Sequence, residues 1–418
     1  MAQLKDDCFA FGDQLMLLED ALRLLSRRLD VVASREILSL DEALGRILAE
    51  DVIANRAVPP TDNSAVDGYA VLFDDLSAGG ETCLPATARV AAGHRLGRTA
   101  NRREAIRIFT GAPMPEGMDT VFMEEDCEKT GDNVVLPFGL KRGDNRRKKG
   151  EDITEGSKIL TNGQKLRPQE LALAASVGVN ELCVRSKLRV AVFSTGDEVC
   201  DPGDSINECH IFDANRYSIM ALLKSMHCEV TDLGIFSDDE DAIADAIGRA
   251  ALNHDIVITS GGVSAGEEDH VKAAVEQQGK LYLWRMAIKP GRPIALGQIG
   301  RATFIGLPGN PVAAMVTFMV IARPVILKLA GAIETEARRY NVVADFDYKK
   351  KIGRREWVRG ILSDGSKNEL IVQKFSSSGA GILTSMVEAD GLIELSEDID
   401  CVLSGDTVRF LPFNEVAG

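Results

Sequence analysis

Leu188-Arg-Val-Ala-Val-Phe193, followed by Ser194-Thr-Gly-Asp-Glu198, opens the stretch that decides the fold. An apolar run broken by one arginine predicts a buried strand, and the Gly-Asp-Glu turn ends it. The phrase then recurs. Residues 214–226 read as a helix, 229–236 as a strand, 239–251 as a helix and 255–259 as a strand. Residues 269–278 give another helix, 303–306 a strand and 311–330 a long helix. Alternation at this spacing predicts a parallel sheet covered by helices on both faces, with ligands taken at the carboxyl ends of the strands. Four loops fall there, at residues 194–198, 237–240, 260–269 and 307–311.

Either side of this block the texture differs. Leu15, Leu18, Leu22, Leu25 and Leu29 recur at steps of three and four and predict an amphipathic helix over residues 13–30. Ser39-Leu-Asp-Glu42 has the spacing of a capping box and predicts a second helix over 39–50. Val58-Pro-Pro60 ends that pattern, and short apolar runs then alternate with Gly, Pro and Asp turns to about residue 142, as in a small β-rich module. Pro168 predicts the first turn of a helix over 169–177. Beyond about residue 334, the runs 356–362, 369–372, 391–395 and 407–411 predict a small antiparallel barrel or sandwich.

With 418 residues the chain has room for two to four domains. A formal charge of -15 speaks against general nucleic-acid binding, which needs clustered Lys and Arg to neutralise phosphates. Charges from Lys5 to Arg28 interrupt the first thirty residues, unlike a secretory signal, so a cytoplasmic protein is expected. The apolar run 312–322 is closed by Arg323-Pro324 and reads as a buried helix, too short to cross a membrane. Eight scattered cysteines lack a Cys-x-x-Cys pair, and five histidines lack a cluster. That pattern argues against structural zinc, a disulfide framework and a Ser-His-Asp hydrolase.

Chemistry concentrates between Thr259 and Pro311. Gly261, Gly262 and Gly266 permit close backbone approach to an anion; a tight strand-to-helix turn explains the same glycines equally well. Glu268 and Asp269 suit either the helix dipole or a metal. With Glu198 and Asp238 at neighbouring strand ends they form a carboxylate set able to hold Mg²⁺, a hard cation that keeps waters and bridges to phosphates. Arg285, Lys289 and Arg292 follow closely, on backbone stiffened by Pro290 and Pro293, and suit an anionic ligand. Far upstream, Asp67 and Thr110 lie in turn-rich sequence, where turn chemistry accounts for them as well as catalysis does.

Seven motifs stand in order along the chain: Asp62-Asn-Ser-Ala-Val-Asp-Gly-Tyr-Ala70, Thr110-Gly-Ala-Pro113, Arg147-Lys-Lys-Gly-Glu-Asp152, Ser194-Thr-Gly-Asp-Glu198, Ser260-Gly-Gly-Val-Ser264, Ala287-Ile-Lys-Pro-Gly291 and Gly306-Leu-Pro-Gly-Asn-Pro311. In register they resemble the molybdopterin molybdenumtransferases, the family of MoeA and the gephyrin E domain. The resemblance implies a multidomain α/β plus β fold. An elongated N-terminal α+β domain is expected from residues 1–52 and 143–186, with a small β-domain inserted at 53–142. A molybdopterin-binding α/β sandwich with a central parallel sheet is expected at 187–333 and a C-terminal β-barrel at 334–418.

It also implies a homodimer that inserts molybdate into adenylated molybdopterin with Mg²⁺, releasing AMP. Carried across residue by residue, it gives catalytic roles to Asp67, Thr110, Asp152, Glu198, Asp238, Asp269 and Lys289, the metal being held by Glu198, Asp238 and Asp269. Gly261, Gly262, Ser264, Arg285, Arg292, Pro308, Pro311 and Arg359 would bind substrate. Arg285 stands where many members have lysine, and Ala380 stands where a serine hydroxyl is expected. For the N-terminal motifs to reach the α/β domain, Asp67, Thr110 and Asp152 would come from the second subunit. The implied protein partners are the molybdopterin adenylyltransferase and apo-molybdoenzymes. Alternative readings are the adenylyltransferase itself, which resembles the middle domain alone, and a non-catalytic molybdopterin-binding scaffold. Tungstate shares the size and charge of molybdate, so either oxyanion fits this reading.

Overall fold

The computed structural model describes residues 15–417 except 206, 263–269, 366–368 and 378, with backbone alone at 283–285. Strand β1 (Arg189–Thr195) leads through a long loop to helix α1 (Asn215–Ser225). Next come β2 (Glu229–Phe236), α2 (Glu240–Asn253), β3 (Ile256–Ser260) and α3 (His270–Gln278). Then follow β4 (Gly279–Arg285), β5 (Pro293–Ile299), β6 (Ala302–Leu307) and the long helix α4 (Pro311–Leu329). The sheet order is β2-β1-β3-β6-β5-β4. Its first four strands are parallel, as the alternation predicts. Strands β4 and β5 are an addition that alternation does not reveal: they pair antiparallel, and residues 286–292, the basic segment, form the connection between them.

Strands buried on both faces must be apolar on both. Val190, Val192, Ile256 and Ile258 pack with α1 and α4 through Ile219, Leu223, Val312 and Val316. Ala191, Phe193 and Val257 face α2 and α3 through Ile243, Ile247, Val271 and Val275. Helix α4 is thus a core helix. It does not stop at Arg323-Pro324, because Phe318–Ala322 widen into a π-turn and Pro324 opens a fresh α-turn, where no N–H is needed.

The N-terminal leucines form a helix at Leu18–Arg28, with Leu18, Leu25 and Leu29 buried and Leu15 exposed. Met16, Leu18, Ala21, Leu25, Leu29 and Ala33 pack in one cluster with Leu188, Val325 and Leu329 of the α/β region and with Trp357 and Leu392 of the C-terminal one. The predicted helix over 39–50 is absent. Arg35–Ser39 is a strand paired with Glu181–Arg185, and Ser39 Oγ donates to Glu42 Oε2 at 3.0 Å within a turn. Gly45 explains the failure: its φ is +76°, and a Cβ there would sit 2.2 Å from the His227 ring.

Pairing of Arg35–Ser39 with Glu181–Arg185, and of Val52–Ile53 with Lys158–Leu160, ties two distant segments together. Between them a six-stranded sheet runs in the order Thr120–Met123, Gly68–Val71, Ala105–Ile108, Thr82–Val90, Asn133–Leu136, Glu128–Thr130. At the C-terminus, Arg355–Asp364, Leu370–Lys374, Tyr340–Ala344, Thr407–Pro412 and Gly391–Leu395 close into a barrel, since the last also pairs with the first. One pair, Tyr340–Ala344 with Leu370–Lys374, is parallel, where an antiparallel barrel is predicted.

Candidate active site

A cleft of about 740 Å³ lies between the strand ends of the α/β sheet and the barrel. Its floor is set by β-register. Ile288–Lys289, in the β4–β5 connection, pairs in parallel with the start of barrel strand Arg355–Asp364, placing Lys289 opposite Glu356. Lys289 Nζ lies 3.2 Å from Glu356 Oε2 and 3.4 Å from Tyr348 Oη. Tyr348 Oη donates to the same carboxylate at 2.9 Å, and Arg354 Nε donates to Oε1 at 2.7 Å. Burial would push the Glu356 carboxyl up, yet Tyr348, Lys289 and Arg354 outweigh it and hold the group below the usual range. Glu356 is therefore ionised, and its ion pair with Lys289 holds that side chain at the cleft.

The opposite wall is backbone. Gly261, Gly262, Pro308 and Gly309 line it together with Glu198. Two of its turns demand glycine. Gly196 has φ +131°, and a Cβ there would lie 2.5 Å from the Glu198 carboxylate, which folds back over it. Gly262 has φ +63°, and a Cβ would lie 2.8 Å from Thr195 Oγ1. Thr195 Oγ1 and Asn215 Oδ1 are buried at this wall without a hydrogen-bond partner among the described residues. Buried polar atoms are normally satisfied, so both suit a bound ligand.

From the barrel comes Arg359, whose Nε donates to Ser385 Oγ at 2.9 Å and whose Nη2 donates to the carbonyls of Ser377 and Gly379 at 3.0 and 3.2 Å. Burial pushes this guanidinium below its ordinary value. Ala380 also lines the cleft, and its carbonyl accepts from Val312 N–H at the start of α4, docking this loop on the helix by backbone alone. Arg292 completes the cationic rim and is exposed.

A second cluster forms in the inserted β-sheet domain. Asp67 Oδ1 accepts from the Thr110 N–H and hydroxyl, both at 2.7 Å. Those two bonds, the backbone one first, hold the exposed Asp67 carboxyl below its ordinary value. Gly111 N–H donates to Ser64 O and Ser64 N–H to Ala112 O, while Asn63–Ser64 pairs with Arg146–Arg147. Lys149 N–H donates to Asp62 Oδ1 at 2.8 Å, and Asp152 N–H to Val58 O at 3.0 Å. Three motifs distant in sequence thus become one surface. Among the described residues no hydrogen bond or ion pair joins it to the cleft.

The two sites can be set against known proteins. The profile of the MoeA N-terminal region (domain I and II) matches residues 16–178, that of a "Probable molybdopterin binding domain" residues 191–328, and that of the MoeA C-terminal region (domain IV) residues 341–413. A molybdopterin molybdenumtransferase of Haemophilus influenzae is 37% identical over 97% of this chain and 100% of its own length. The chain belongs to the molybdopterin molybdenumtransferase family. Members are enzymes of molybdenum cofactor biosynthesis. A Nostoc relative of the same name is 33% identical, covering 92% of this chain and 90% of its own. The crystal structure of the MoeA protein of Pyrococcus horikoshii OT3 superposes with a TM-score of 0.81 at 26% identity, covering 96% of this chain and all of that one.

Within this molybdenumtransferase fold, Glu198, Gly261, Gly262, Lys289, Arg292, Pro308 and Arg359 converge on the cleft, while Asp67, Thr110 and the Asp152 backbone belong to the second cluster. Pro311 starts helix α4 just behind the wall. Asp238 stands on the loop beside Glu198, where Asp197 N–H donates to its carboxylate at 3.3 Å and its own N–H to Asp197 at 3.2 Å. Asp269, Ser264 and the Arg285 side chain lie outside the described residues. Among those described, no three His, Cys, Asp or Glu side chains form a group able to hold a metal ion. Of the carboxylates named for Mg²⁺, Glu198 lines the cleft and Asp238 stands on the neighbouring loop; the ion takes one or two carboxylates and completes its shell with water and substrate oxygens. Sequence reasoning missed Glu356 and Tyr348. The available signal was an acid inside the apolar run Glu356-Trp-Val-Arg-Gly-Ile-Leu362, which must find a partner when buried.

Proposed function

We propose that this protein inserts molybdate into adenylated molybdopterin, releasing AMP and the molybdenum cofactor, as a homodimer whose active site joins the cleft of one copy to the Asp67 cluster of the other. The observation that carries this reading is the cleft itself: Lys289, Arg292 and Arg359 face glycine-lined backbone beside Glu198. Cations fixed by a second domain suit a tetrahedral dianion, and exposed loop backbone suits a phosphate. Mg²⁺, held by Glu198 and Asp238, would supply Lewis-acid charge to the departing phosphate.

The chain's own residues do the positioning. Lys289 already holds one anion, Glu356, and presents its remaining N–H donors to the oxyanion. Arg359 is locked by three hydrogen bonds, so it offers preorganised charge with little reorganisation. Asp67, ionised by Thr110, is suited to orient a donor group of the substrate from the second copy.

The direct test supplies adenylated molybdopterin, Mg²⁺ and either molybdate or tungstate, and follows AMP together with reconstitution of an apo-molybdoenzyme. AMP release dependent on oxyanion is expected; consumption of ATP instead would make the protein an adenylyltransferase, and binding without AMP a scaffold.

A further inference from the structure

Glu198 reaches the cleft on an excursion, residues 196–213, that has little apolar anchoring. Among its described residues the only regular structure is the pairing of Val199–Cys200 with Ile211–Phe212, and both Ile211 and Phe212 are exposed. Something else must hold it. Arg216, in the first turn of α1, is 3% exposed and meets three carboxylates. Its Nε bonds Asp213 at 3.0 Å, its N–H bonds the other Asp213 oxygen at 3.0 Å, and its two terminal nitrogens reach Asp201 and Asp232. Asp201 and Asp213 belong to the excursion, whereas Asp232 belongs to β2. The guanidinium therefore clamps both ends of the loop to the sheet.

From Asp201 the path to Glu198 is short. Ile211 N–H donates to Glu198 O at 2.8 Å, and Asp213 N–H to Cys200 O at 2.9 Å. The neighbouring Asn215 extends the same joint to the opposite wall: its Nδ2 donates to Ser260 Oγ at 2.7 Å and Gly309 O at 2.6 Å, and Ser260 Oγ donates to Pro308 O at 3.0 Å. We propose that Arg216 is a positioning residue for Glu198, and that the first turn of α1 sets the width of the cleft by fixing the 196–213 and 307–311 loops from one point. This deepens the proposed transferase reading and rests on it for its kinetic part.

Asp201 is the place to test it, being 45% exposed, so that its loss leaves Arg216 paired with Asp213 and Asp232. Asp201→Ala is expected to raise the alkylation rate of half-buried Cys200, followed by mass spectrometry without substrate, and to lower AMP release, each by about tenfold, the equivalent of one charge-assisted hydrogen bond. Asp201→Asn keeps an acceptor for the guanidinium and should restore most of both. Wild-type Cys200 protection or wild-type turnover in Asp201→Ala would overturn the proposal, as would a turnover loss matched by an equal loss of folded protein. If the wild-type protein itself releases no AMP, the transferase reading fails, while the thiol measurement still decides whether Arg216 holds the loop.

Discussion

The Asp67 cluster and the Lys289 cleft are built in opposite ways. At Asp67 the bonds draw three sequence-distant turns together: backbone N–H groups of Thr110, Gly111 and Lys149 meet the carboxylates of Asp67 and Asp62 and the Ser64 carbonyl. At Lys289 two domains meet, a parallel register places a buried acid against a cation, and Thr195 and Asn215 keep polar atoms without partners. The first also keeps buried atoms without partners among the described residues, Asn63 Oδ1 and Arg146 Nε, so the difference lies in exposure: the Asp67 carboxylate is exposed, whereas Glu356 is buried. An exposed carboxylate surface and a recessed cationic cleft suit the proposed site divided between two copies.

The largest expected effect tests that division. Lys289→Ala and Asp67→Asn should each lower AMP release by about a hundredfold or more, the loss typical of removing one preorganised electrostatic contact. Mixed in equal amounts, the two proteins should recover about a quarter of wild-type activity, because random assortment into symmetric dimers leaves that share of sites intact. No recovery, with heterodimers demonstrated, would break the link between the two clusters.

A smaller effect sharpens the cleft side. Glu356→Gln keeps the shape but removes the charge that competes for Lys289. Turnover should fall about tenfold as the ammonium loses its aim, while KM for molybdate falls too because one anion no longer opposes another. If both stay unchanged, the barrel is a passive wall.

Least is expected at Asp67 on changing its partner. Thr110→Val removes the hydroxyl and keeps the N–H, so the Asp67 carboxyl should move part of the way back toward its ordinary 3.8, read by an NMR titration of that carboxyl. The sign follows from a depressed folded-state value: the contact's stabilisation is complete above 3.8 and is lost as pH falls through the lower folded value. The stability that Thr110→Val removes should therefore show in full near neutral pH and vanish as pH falls through the lower folded value.

How far these features were legible depends on how local their causes are. Strand β1 and helix α4 announce themselves through apolar runs, and the capping of Pro168–Ser176 through its proline. The Ser39 capping-box spacing misleads, because His227, nearly two hundred residues away, occupies the space above Gly45. Strands β4 and β5 escape alternation because they pair antiparallel, without a helix between them. At the sites, Lys289 and Asp67 stand out by motif; Glu356 and Arg216 do not, since their importance lies in what faces them.

By itself the sequence determined the alternating α/β block, the order of the motifs and the candidate charges, because periodicity and turn chemistry act over a few residues. Only the tertiary structure decided that Lys289 faces Glu356, that one arginine gathers Asp201, Asp213 and Asp232, and that the motifs divide into two surfaces. Register between distant strands and the pairing of buried charges depend on where the chain returns, and burial makes such pairing obligatory without naming the partner.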